Sequence, residues 1–299
     1  MKQATPIFVF FCFIYSFTYS QKYNVYKVSA GLGASAYFGE LVGMPQPKDV
    51  SPAFSIEGSY NLTTQLRGRI TISGLGIRGN DRNSDKPSHK ERNLDFSSFV
   101  WDVNLAAEYD FLNENDFKII PYAFVGPGVF GFNPITHDGT TGERVQLQKY
   151  GTEGQGLSAY PDRKPYDLTQ INIGGGGGLK VSINKSTQVS AEIFFRYTFT
   201  DYLDDISIIG YVNPVYFQNE GKLKSLEYSY RGSEYPNFTP FSQKIYNRGN
   251  TIPVDFFYSA QLKITFNISA KMLENKIILI LLMAFACLNM MALKTQKGS

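Results

Sequence analysis

Cysteine is nearly absent from this chain, and that narrows its chemistry first. Of 299 residues only Cys12 and Cys287 are cysteines. Both lie in terminal segments, so residues 21–270 hold none, and neither disulfides nor thiol chemistry is expected there. Histidine is equally scarce. His89 and His137 are the only two, both fall in long connections, and neither belongs to a spaced metal-ligand motif. No metal or other cofactor is expected. An excess of one charge is missing as well: 29 basic residues stand against 26 acidic ones, a net charge of +3. The basic residues are scattered, so nucleic acid is not an expected partner. No nucleophile stands out. Catalysis is not expected, and a serine–histidine pair at one rim of the fold is the arrangement left over for it.

What the chain has in quantity is aromatic side chains, 20 Tyr and 24 Phe, and period-two patterning. In a strand alternate residues face opposite sides. Residues 254–268 put Val254, Phe256, Tyr258, Ala260, Leu262, Ile264, Phe266 and Ile268 on one face and Asp255, Ser259, Gln261, Lys263, Thr265 and Asn267 on the other, with Phe257 the exception. Residues 99–111 and 189–199 repeat the pattern. The other segments are 25–39, 52–61, 65–78, 117–133 and 168–183, which makes eight.

The connections alternate in length. Three are short turns at 61–64, 113–116 and 184–186. The other four, 40–51, 80–91, 134–167 and 202–249, are long. An even number of antiparallel strands with tight turns at one rim and long loops at the other is how outer-membrane barrels are built. The segments are long enough to cross a hydrocarbon layer when tilted. Lipid tolerates no open edge, so eight strands must close. The expected fold is all-β, an eight-stranded antiparallel transmembrane barrel with four extracellular loops and outer-membrane lipids around it.

A barrel of this size is filled by side chains and needs no channel. The inward positions Lys27, Glu57, Arg67, Arg69, Asp102, Glu108, Lys180, Glu192, Arg196, Asp255 and Lys263 mix both signs and are expected to pair. Tyr26, Phe38, Tyr60, Phe111, Tyr122, Phe132, Phe199 and Tyr258 sit near segment ends, as interfacial girdles would place them; general aromatic richness is the plainer account. Five glycines at 174–178 lack the Lys-Ser/Thr ending of a phosphate loop. They are expected to let a large inward group lie against the wall. Gly31-Leu32-Gly33-Ala34-Ser35-Ala36 imitates a dinucleotide fingerprint, but strand alternation continues through it and no helix follows.

Residues 1–20 read as a signal peptide, with Lys2, an apolar run at 7–15 and Thr18-Tyr19-Ser20 before an expected mature start at Gln21. The tail, 271–299, does not fit a barrel. Its apolar run at 277–292 is marginal for a span, and it resembles either a second exported protein's leader joined by fusion or readthrough, or a C-terminal helix.

Three stretches carry a family resemblance: Arg92-Asn93-Leu94-Asp95-Phe96; Tyr150-Gly151-Thr152-Glu153-Gly154-Gln155-Gly156-Leu157 with Tyr160-Pro161 and Arg163; and the run from Arg196 through Asp201, Asp204 and Asp205 to Ser207. Together they resemble DUF6089, the PorG-like small outer-membrane barrels of Bacteroidetes, over about residues 25–268. The resemblance implies an eight-stranded barrel, no catalysis, and association with the periplasmic ring that the lipoprotein PorK makes with PorN in the type IX (Por) secretion system. A binding or adhesion barrel acting through its extracellular loops is the alternative, and a lipid-modifying enzyme a third. Glu153, Gln155, Arg163, Asp201, Asp204 and Asp205 are the candidate site residues. The third long loop is expected to fold back as a lid held by Glu153, Arg163 and the 201–205 carboxylates. Two other uses of those carboxylates are open: binding calcium or an arginine-rich partner, or simple pairing with Arg163 or Arg231.

Overall fold

The computed structural model describes residues 26–43, 46–234, 247–249 and 255–268. The expected signal peptide, the mature start and the 271–299 tail lie outside them. Ten strands form one sheet: β1 (Tyr26–Phe38), β2 (Ser51–Asn61), β3 (Leu66–Asn80), β4 (Asp95–Asp110), β5 (Ile119–Gly131), β6 (Ile135–His137), β7 (Arg144–Gln146), β8 (Thr169–Ser182), β9 (Thr187–Thr198) and β10 (Phe256–Ile268). The order β3-β2-β1-β10-β9-β8-β5-β4 closes through the β3–β4 pairing, and all these pairings are antiparallel. Eight strands therefore make a closed barrel with no open edge. The small β6–β7 hairpin hangs from β4 by a single bridge, Ser97 to Ile135.

The third and fourth long connections carry more structure than their patterning suggests. One holds the β6–β7 hairpin, and the other holds the short helices Pro214–Asn219 and Leu223–Ser229. The second connection holds a third helix, Pro87–Arg92. β4 also begins earlier than its apolar pattern, at Asp95, because Asp95 pairs with Asn80 and lifts the β3–β4 hairpin above the apolar band. Among the described residues no helix is long and apolar enough to cross a membrane; the strands do the crossing.

Outward positions are apolar and bare. Leu32, Leu105, Leu179, Leu262, Ile193 and Phe195 are all exposed on the isolated chain. In water each would forgo about 1.5–3 kcal/mol of burial, which a surrounding of lipid tails restores. Aromatic pairs mark both rims: Tyr26 with Tyr60 and Tyr109 with Phe111 at the short-turn end, Phe38 with Phe256 and Tyr197 with Phe199 at the other. Two residues assigned to the girdles belong elsewhere. Tyr122 and Phe132 are buried, Tyr122 donating its hydroxyl to Glu192 inside the lumen at 2.8 Å and Phe132 stacking on Tyr166 under the third loop. Each continues the inward series of β5, which outweighs its place near a strand end.

The interior has two storeys. Toward the short turns, six carboxylates (Glu57, Asp102, Glu108, Asp110, Glu114, Glu192) meet six cations (Lys27, Arg67, Arg69, Lys180, Arg196, Lys263), each with at least one opposite partner. Arg69 sits at the centre, 2.7 Å from Glu57, 2.9 Å from Glu108 and 2.8 Å from Glu192. Its guanidinium also lies 3.9 Å over the Phe124 ring. Arg196 pairs with Asp102 at 3.1 Å and stacks on Phe194. Toward the long loops the lumen turns apolar: Tyr37, Leu75, Ile77, Phe96, Val100, Phe130 and Phe257 form one buried cluster. Phe257, the break in the alternation of β10, is an inward residue of this upper storey.

The glycine run lies where bulk crosses the lumen. Gly176 pairs with Phe124 on one side and Phe194 on the other, and those two rings meet edge to face at 4.8 Å. A Cβ on Gly176 would stand 2.1 Å from the Ile193 carbonyl oxygen and 2.8 Å from the Phe124 ring, so only glycine fits between them.

Candidate functional site at the barrel mouth

The three sequence stretches that carry the family resemblance meet above the upper storey. Gly151, Gly154 and Gly156 take φ of 60°, 85° and 74°, left-handed turns that fold residues 150–157 into a compact knot. The knot buries Thr152, Glu153 and Gln155. Gln155 serves it locally, its side-chain oxygen accepting from the Glu153 amide at 2.9 Å.

Glu153 ties the third loop to the fourth. Its Oε1 accepts from the amides of Ser207 and Ile208, both at 3.0 Å, and from Arg248 at 2.5 Å. Asp205 adopts φ 70° and accepts from Thr152 Oγ1 at 2.5 Å and the Tyr166 hydroxyl at 2.7 Å. Burial lifts its pKa to about 6 although Arg248 pulls it down. Arg163 donates to the Glu153 carbonyl at 2.6 Å and stacks on Tyr160.

The expected pairing of the acidic run with Arg163 or Arg231 is not what forms. Arg163 meets a backbone oxygen, and Arg231 pairs with Asp95 and Glu234 beside the β6–β7 hairpin. The basic partner is Arg248, buried, 2.5 Å from Glu153 and 3.6 Å from Asp205. It donates further to Thr152 and to the Asp205 carbonyl, while Arg92 donates to Arg248's own carbonyl. Arg248 thus joins all three stretches. Sequence reading had no signal for it: it stands alone late in a long unpatterned connection.

Asp201 and Asp204 belong to a different group. Asp204 accepts from the Tyr37 hydroxyl at 2.5 Å and from the Ile206 amide at 2.9 Å. Asp255 accepts from the Leu203 amide at 2.9 Å, and its other oxygen lies 3.3 Å from the Tyr37 hydroxyl. Glu40 lies beside them. Burial raises Asp204 to about 7 and Asp201 to about 6; for Glu40 burial, then the Asp204 and Asp201 charges, raise it to about 9. Among the described residues none of these four carboxylates has a salt-bridge partner.

Below the mouth, the charged storey encloses a cavity of only about 10 Å³ among Glu57, Arg67, Glu108, Lys180, Glu192 and Lys263, room for about one water. His89 Nδ1 faces both Ser84 Oγ at 3.3 Å and Asp81 at 3.7 Å. Asp81 is itself held by Arg92 at 2.7 Å.

The family model described as "Domain of unknown function (DUF6089)" matches residues 5–210. A search of curated protein sequences finds no match. Solved structures similar to the chain include OprG of Pseudomonas aeruginosa (8% identity, TM-score 0.42, covering 83% of this chain and 98% of that one) and Neisserial surface protein A (10%, 0.36, 81% and 96%). The outer membrane protein W of E. coli is a third (13%, 0.33, 83% and 100%).

Proposed function

The chain belongs to the DUF6089 family, and we propose that it is a non-enzymatic outer-membrane barrel of the type IX secretion apparatus, held beside the periplasmic ring of PorK with PorN. The observation that carries this reading is the filled lumen. Among the described residues six ion-paired carboxylates and a cavity of about 10 Å³ fill the charged storey, which favours a role at the rims over solute passage. The three stretches resembling the PorG-like barrels point to the secretion role.

Contact with a periplasmic ring would use the short-turn rim, where Asn115, Asp116, Lys118 and Lys185 are exposed. Deleting the gene should trap a type IX cargo in the periplasm, and residues 1–270 alone should restore its release. A photo-crosslinker at Lys118 or Lys185 should capture the ring lipoprotein. Normal secretion without the gene would refute the role.

A binding barrel acting outside the cell is the second reading. It is favoured by exposed Val215, Tyr216 and Leu223 on the fourth-loop helices, an apolar patch facing outward, although Tyr216 also meets Tyr160 of the third loop edge to face. Normal secretion, combined with loss of surface binding when Tyr216 and Leu223 become serine, would select it.

A further inference from the structure

We propose that the barrel mouth binds a divalent cation of the calcium class through Glu40, Asp201 and Asp255. The three come from the tops of consecutive barrel strands. Glu40 follows β1, Asp255 precedes β10 and Asp201 follows β9, and the pairings Phe38 to Phe256 and Phe256 to Tyr197 bring those strand ends side by side. One oxygen from each lies within 4.8 Å of the others. An ion with bonds of about 2.3–2.6 Å holds ligand oxygens up to roughly 5 Å apart, so the trio fits such an ion without rearrangement.

A cluster of acids alone would mean little at a solvated rim. Two of these three are buried, Glu40 at 4% exposed and Asp255 at 0%, with Asp201 half-buried beside them. Among the described residues both carboxylate oxygens of Glu40 lack a hydrogen-bond partner, as does Oδ1 of Asp201. An unpartnered carboxylate aimed into a group of two more asks for a cation. Among the described residues no lysine or arginine pairs with any of the three. The nearby Arg92 is engaged by Asp81 through two hydrogen bonds, at 2.8 and 2.7 Å, and Arg248 by Glu153. An all-oxygen donor set selects a hard ion, and the absence of histidine and sulfur disfavours zinc or copper. Asp255 is pre-oriented by the Leu203 amide. Asp204 adds a further negative charge through Tyr37, whose hydroxyl touches both it and Asp255. The site is independent of the secretion role.

The test uses the full chain, folded in detergent and freed of metal with EGTA. Tyr37 stands close enough to sensitise bound terbium. Terbium emission should saturate and be displaced by calcium, and calcium should raise the Tm. Glu40→Gln and Asp201→Asn should each weaken calcium binding at least tenfold, while Asp138→Asn, on the distant β6–β7 hairpin, should not change it. Wild-type protein whose emission does not saturate and whose Tm ignores calcium would overturn the site, whatever the variants do. Equal calcium affinity in Glu40→Gln would overturn it as well.

Discussion

The lumen and the mouth of this barrel both bury acidic groups, and they neutralise them differently. In the lumen every carboxylate of the network has a lysine or arginine from another strand, six against six. At the mouth Arg248 serves Glu153 and Asp205, and Glu40, Asp201, Asp204 and Asp255 have hydroxyl or amide donors or none. Buried ion pairs bring little net stability, because desolvation offsets their attraction, but removing one partner is costly. The lumen is thus a rigid filler whose parts depend on one another. The mouth holds a group of carboxyls with no cationic partner among the described residues.

The largest effect should come from the centre of the lumen. Arg69→Met takes one cation from each of Glu57, Glu108 and Glu192, leaving Lys263 to the first and last and Arg67 with Lys180 to Glu108, and should cost about 3–5 kcal/mol, measured by urea unfolding in micelles. A loss below about 1 kcal/mol would mean that the lumen repacks freely. Cutting the tie between the loops should act locally. Glu153→Ala removes three hydrogen bonds, one to an arginine, worth roughly 2–3 kcal/mol to the cap, and Asp204→Ala should loosen the same region. The third loop should become protease-sensitive on whole cells while barrel unfolding is unchanged; unaltered protection would remove the lid.

At Glu40 the sign should reverse. In EGTA, Glu40→Gln removes an unpartnered buried carboxylate and should stabilise the barrel by about 1–2 kcal/mol, where the same kind of change in the lumen, Glu108→Gln, destabilises. Destabilisation at both would erase the contrast. The smallest effect concerns His89. Burial, and next the Arg92 charge, lower its pKa from the ordinary 6.5 to about 4. The folded state therefore resists its protonation. The second loop keeps its full stability above pH 6.5 and loses it as pH falls from 6.5 toward 4. Because the side chain is partly exposed, at 22%, screening should hold the loss below about 1 kcal/mol. His89→Asn should flatten the acid-dependent rise in proteolysis of residues 81–92.

Much of the barrel was legible because lipid imposes a simple rule. Apolar residues at every second position of β10 can only mean one face in hydrocarbon, and the inward ions were identified by elimination. Leu75, Ile77 and Phe130 were not legible as inward residues, since an apolar side chain in a membrane strand is assumed to face lipid. The cap was legible only as motifs. Glu153, Asp204 and Asp205 stood out as residues, but nothing in their spacing distinguishes the group that meets Arg248 from the group that meets Tyr37.

Alternation and loop length, both local properties of the chain, determined the strand count, the up-and-down order and the sign of each face, because backbone geometry and lipid leave one solution. Tertiary structure alone decided which charges pair. Arg69 reaches Glu192 across 123 positions and Arg248 reaches Glu153 across 95. Glu40, Asp201 and Asp255 become neighbours only when closure sets β1, β10 and β9 side by side. Electrostatic partnership depends on distance in space, and in a closed sheet the register sets that distance.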